Sequence, residues 1–182
     1  EYVNFAKSKG IKTVMFTEHV KRRLLYDFGE LIADIERARL DFPDMNIILG
    51  AEAKILPNGQ LDFPDSIIQD IEILCIACHS FPADVDLYVS ILKDIFINQF
   101  IDKIRVWVHP GLFFINHPAL LSRGSSRRML RELVDVANDN RVFGEINLKY
   151  RLPERILPKN PFKYQITGMD SHFVAKLKKY FA

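Results

Sequence analysis

Residues 72–79 read EILCIACH, a short apolar run from Ile73 to Cys78 that opens on a charge and ends on a histidine. A run of that length, rich in Ile and bounded by polar residues, predicts a strand buried on both faces. The same construction recurs along the chain in KTVMFTEH (12–19), NIILGAE (46–52), KIRVWVH (103–109) and QITGMDSH (165–172). In each, a β-rich run ends on or beside a side chain able to bind metal: His19, Glu52, His79, His109, and Asp170 with His172. Parallel strands wound into a wheel bring their C-terminal ends to one face, where barrel sites are built.

Helical patterns separate these strands. Residues 2–9 end at Gly10, a C-cap signal. Residues 28–41 carry Leu31, Ile32, Ile35 and Ala38 at helical spacing, and Pro43 follows. The spacing predicts a long amphipathic helix over 84–102 with Val85, Tyr88, Leu92, Ile95 and Phe96 on one side. It predicts further helices over 126–139 and 172–181. The P-N-G at 57–59 predicts a small hairpin within 53–63. Residues 110–118 read as irregular, 142–147 as a strand, and 151–163, with Pro153, Pro158 and Pro161, as a βα loop. Alternating strands and helices predict a mostly parallel α/β barrel in one domain over 1–182, a rhythm that by itself also fits an open sheet.

Bulk properties exclude several classes. With 182 residues, 48% of them hydrophobic, the chain can bury a substantial core. A net charge of +2 gives no global case for nucleic-acid binding. No apolar stretch approaches the roughly 20 residues of a membrane span, and no signal peptide is visible. No glycine-rich phosphate loop is present. Cys75 and Cys78 read as two core thiols, since no helix start follows to lower a thiol pKa and no second pair completes a zinc knuckle. Two cysteines in all fit a reducing cytoplasm.

Imidazole nitrogens and carboxylate oxygens are the usual ligands of zinc, manganese and iron. Any one of these histidines fits a satisfied core or turn position; the coincidence over five strand ends argues for a shared site. Glu52 is the sharpest case, because a carboxylate at the end of an apolar strand costs several kcal/mol unless paired or bound to metal. His117 lies in a loop before Pro118 and reads as structural. Glu145 and Asn147 alternate with Gly144 and Ile146, so both are expected to face the barrel interior.

Taken together, T-E-H (17–19), G-A-E (50–52), C-H-S (78–80), H-P-G (109–111), G-E-I-N (144–147) and G-M-D-S-H (168–172) resemble the polymerase and histidinol phosphatase (PHP) family, in its order and over nearly the whole chain. The resemblance implies a distorted (β/α)7 barrel, two or three divalent metals (zinc, manganese or iron) and hydrolysis of phosphate esters. It implies that Glu52 bridges two metals and that His79 and His109 complete one of them. A second would take Glu52, Asp170 and an H-x-H motif; a third would take His19, His172 and a further early histidine. The chain opens at Glu1 rather than Met, and the first strand with the H-x-H motif and early histidine is expected upstream of it.

In such a site, paired metals lower the pKa of water from about 15.7 towards 7 and offset charge developing on phosphate oxygens. Asp170 or His172 would protonate the leaving alcohol. Arg22, Arg23, Lys149 and Arg151 are candidates to hold the phosphate, against the alternative of a solvated charged face. Asn147 is a candidate substrate contact, and Glu145 is equally a structural interior carboxylate. The expected partner is a small phosphorylated metabolite rather than a membrane.

Three alternatives remain open. A 3'-5' exonuclease would need a basic, aromatic-lined groove, for which Phe113, Phe114 and the cations of 149–163 are the candidates. A degenerate barrel could hold metal for structure or serve as an interaction module. An amidohydrolase-like activity would need a bridging lysine at a strand end, and none is evident.

Overall fold

The apolar runs become strands because their alternate residues find apolar partners on two opposite sides. The computed structural model describes residues 1–121, 124–157, 159, 161–172 and 174–181. Pro158 of the predicted loop and position 173 of the predicted terminal helix lie outside them. In chain order the elements are α1 (Tyr2–Ser8), β1 (Thr13–Val20), α2 (Phe28–Asp41), β2 (Asn46–Ile55), β3 (Leu61–Asp62), β4 (Ile73–Ala77) and α3 (Val85–Asn98). Then follow β5 (Ile104–Trp107), α4 (Leu112–Asn116), α5 (Pro118–Leu121), α6 (Gly124–Asp139), β6 (Phe143–Asn147), β7 (Gln165–Gly168) and α7 (Val174–Leu177).

Six strands pair in parallel in the order β1-β2-β4-β5-β6-β7, and β3 pairs antiparallel with β2. The sheet curls into a half-barrel, a partial form of the predicted barrel. Among the described residues β1 and β7 each have one sheet neighbour.

The two faces of the sheet carry different cores. On one face Leu49, Leu74, Ile76 and Trp107 pack with Ile35, Tyr88, Leu92, Leu130 and Leu133 from α2, α3 and α6. On the other face Ile73, Cys75, Ala77, Val106 and Val108 form a smaller cluster with Met15, Ile48, Phe143 and Ile166. This second face is the inner one. Reading up each strand from the second cluster, the inward positions turn from apolar to polar: Met15 gives way to His19, Ile48 to Glu52, and Phe143 to Glu145 and Asn147. The polar end is the C-terminal end of the strands.

Local chemistry fixes the boundaries. Asp27 caps α2 by accepting from Gly29 N at 2.8 Å, and Asp84 caps α3 by accepting from Leu87 N at 3.0 Å. The helix predicted over 84–102 stops at Asn98. Phe100 takes a left-handed φ of 52°, and the buried guanidinium of Arg105 takes the carbonyls of Phe96 (2.6 Å) and Gln99 (3.2 Å). The predicted hairpin closes through Gly59 (φ 82°), with Lys54 opposite Asp62. Two short helices, α4 and α5, replace the irregular stretch predicted over 110–118. The terminal helix predicted over 172–181 is cut to α7 and a 3-10 turn, Lys178–Tyr180, with Leu177 the buried residue of α7. No helix of the described residues is long and apolar enough to cross a membrane.

Candidate metal centre

Strand register builds the centre of the site. His19 and Glu52 are direct partners across β1 and β2, and Glu52 is the partner of Cys75 in β4. Same-face neighbours in adjacent strands meet at their side chains, so His19 Nδ1 lies 3.4 Å from Glu52 Oε1. Just beyond the end of β4 the chain places His79 Nε2 2.9 Å from the same oxygen. One ligand atom from each of His19, Glu52 and His79 falls within 4.8 Å of the others, so the three could hold a metal ion. Two imidazoles and a carboxylate are donors that divalent transition metals accept.

The other predicted ligands flank this group. His172 stacks on His19, with ring centroids 5.6 Å apart, and His109 stands 5.4 Å from His79. Four of the five histidines therefore run along the strand ends in the order His172, His19, His79, His109. His109 is 3% exposed, and its Nδ1 is buried without a hydrogen-bond partner among the described residues. Burial lowers its pKa against the pull of Glu52 and Asp170, which favours the neutral, metal-competent ring. The set expected from the resemblance was Glu52, His79 and His109; the group brought within ligand distance has His19 in place of His109.

Asp170 follows β7 and is held by Lys149, whose Nζ lies 2.6 Å from Oδ2; Oδ1 is 3.5 Å from His172 Nε2. Burial works against ionisation of Asp170, but the hydrogen bond and charge of Lys149 outweigh it and hold the carboxyl below its usual range. The same bond raises the Lys149 pKa. Asp170 (φ 42°) and His109 (φ 49°) both take left-handed backbone, a conformation costing about 1–3 kcal/mol that concentrates where function fixes a side chain.

Beneath His109 lies Glu145, 5% exposed. Its Oε2 accepts from His109 N at 2.7 Å and its Oε1 accepts from Asn147 Nδ2 at 3.1 Å. Burial pushes the Glu145 carboxyl up to about 7 despite those two bonds. The G-E-I-N alternation pointed both side chains inward, as found. What the sequence did not signal is the grip of Glu145 on the main chain of His109, because the two residues lie 36 positions apart. Asn147 spends its other end on Tyr150 N at 2.9 Å, so it braces the site from within.

The predicted phosphate cations fall into two groups. Arg22 is committed to the β2–β3 hairpin, its guanidinium to Gln60 and its backbone N to Asp62 at 2.9 Å. Arg23 and Arg151 are exposed, and Lys149 is tied to Asp170. Phe113 and Phe114 are each 1% exposed and belong to the core, so they line no groove. His117 Nε2 donates to the Phe81 carbonyl at 2.8 Å, the structural role expected of it. Cys75 and Cys78 are free and buried, and burial pushes the Cys78 thiol up to about 12, which keeps it protonated. No protein-family model matches the chain, and no curated protein matches it.

Proposed function

We propose that this chain forms the metal-binding half-barrel of a PHP-type phosphoesterase that hydrolyses a small phosphorylated metabolite. The observation that carries the reading is the His19–Glu52–His79 group at the C-terminal ends of parallel strands, with His109, His172 and Asp170 beside it. The order of the strand-end motifs supports the PHP type. Zinc, manganese and iron all suit these donors, and the group within ligand distance among the described residues would take one ion.

A bound divalent cation supplies Lewis-acid activation of water and neutralises charge on the phosphoryl oxygens. The chain's own residues do the rest. His19, Glu52 and His79 would hold an ion, and His109, beside His79, would be the next donor towards β6. His172, with its Nε2 3.5 Å from Asp170 Oδ1, is the side chain of the pair placed to protonate the departing alcohol. Lys149 sets Asp170 in its ionised form and offers a cation to phosphate oxygens on the same side. Arg23 and Arg151, in the segments after β1 and β6, are exposed.

Hydrolysis of a chromogenic aryl phosphate by the metal-loaded protein tests the reading. Turnover that is lost in Glu52→Ala and His109→Ala is expected. Turnover that survives in both overturns it. One observation favours a second reading, a barrel holding a single structural ion: Lys149 already satisfies Asp170. Metal-dependent stabilisation with no release of phosphate from any ester would favour that reading.

A further inference from the structure

We propose that Glu145 is the positioning residue of His109, acting through the main chain rather than through the imidazole; this rests on the metal-centre reading above. A ligating histidine is normally oriented by a carboxylate or carbonyl on its second ring nitrogen. Among the described residues His109 has no such partner. Its Nδ1 is buried and unbonded, and its Nε2 is 3.8 Å from Glu145 Oε2, beyond hydrogen-bond range.

The carboxylate instead accepts the His109 backbone N–H at 2.7 Å. That bond anchors a residue whose φ of 49° is otherwise disfavoured for a side-chain-bearing residue. The ring is then confined between His79, at 5.4 Å, and the edge of Tyr150, at 5.7 Å and near-perpendicular. Because Glu145 takes the main chain and stands 3.8 Å from Nε2, the carboxylate does not compete with a cation for that ring nitrogen.

The fold reserves space for this arrangement. Asn147 Nδ2 holds the second carboxylate oxygen, and a Cβ on Gly168, across the β6–β7 pair, would overlap it. Two donors therefore point at two oxygens, a pattern that only a carboxylate satisfies in full. Glutamine in its place accepts one and turns an N–H towards the other. No lysine or arginine is bonded to the carboxylate among the described residues.

The test is cobalt(II) titration of wild-type and Glu145→Gln proteins, read by visible absorption and by competition with a chromophoric chelator. Cobalt affinity is expected to fall by about ten- to a hundredfold, with a changed ligand-field spectrum, while the variant keeps its fold. Wild type and variant with the same affinity and spectrum overturn the assignment and leave the metal centre standing. Wild type that takes up no cobalt overturns the metal centre as well.

If Glu145→Gln does not fold, the wild-type His109 amide proton decides by NMR. A carboxylate partner places it downfield, and zinc is expected to move it together with the His109 ring signals. An amide resonance that stays still while zinc shifts His19 and His79 overturns the assignment.

Discussion

Lys149 Nζ and Asp170 Oδ2 lie 2.6 Å apart at the rim of the site, joining the turn after β6 to the turn after β7. The pair holds the Asp170 carboxyl below its usual range. An Asp held down in this way contributes stability above its unfolded value of about 3.9, and the contribution fades as pH falls through the lower folded value. Lys149→Met is expected to raise the Asp170 midpoint in a carboxyl NMR titration. An unmoved midpoint would mean that the ion pair is not what sets it.

Glu145 gives the opposite sign. Its folded carboxyl titrates at about 7 against an ordinary 4.5, so the folded state binds the proton more tightly than the unfolded chain. Its contribution is fully present below pH 4.5 and is lost as pH rises through 7, on the order of 3 kcal/mol. His109 works the other way, since burial lowers its pKa. The comparison with Glu145→Gln isolates the carboxyl. Denaturant unfolding of metal-free protein at pH 5 and pH 8 is expected to show the wild type losing more stability than the variant between the two. Equal losses would contradict it.

Gly168 leaves room for that carboxylate. A methyl group there would drive Glu145 out of its place or push β7 away from β6. Gly168→Ala is expected to cost about 1–3 kcal/mol, the range for overpacking, and to lower the melting temperature of the metal-free protein. A melting temperature unchanged by the substitution would show that the interior is looser than these contacts imply.

Arg105 is a purely structural cation. Its guanidinium satisfies the carbonyls of Phe96 and Gln99 at the end of α3 and that of Asn140 just beyond α6. Arg105→Met strands all three and is expected to destabilise the fold by about 3 kcal/mol without altering metal affinity in the protein that remains folded. Chemical unfolding and cobalt titration check the two halves of that statement separately.

These residues also mark how far the sequence could be read. The strand runs were legible because burial on two faces demands unbroken Ile, Val and Leu, and EILCIACH became β4 with Ile73 and Leu74 on opposite cores. The helix over 28–41 was legible to the residue from its apolar spacing and from Pro43 just beyond it. The end of α3 was not, because it depends on Arg105, a residue from the next strand. The same holds at the site. Strand-end position found His19, Glu52 and His79, but it could not tell that β1–β2 register would seat His19 directly beside Glu52. Nor could it show Lys149 on Asp170 or Glu145 on the His109 amide, which are tertiary contacts between turns and strands. Arg22, a candidate phosphate cation from the sequence, is bound to the hairpin instead.

Calorimetric titration of zinc into wild-type and Glu52→Ala proteins shows whether His19, Glu52 and His79 form a metal site. Glu52 supplies the oxygen both imidazoles face, at 3.4 and 2.9 Å. Saturable zinc binding by the wild type and its loss in a folded Glu52→Ala protein are expected. Zinc bound equally by both, or by neither, would contradict it.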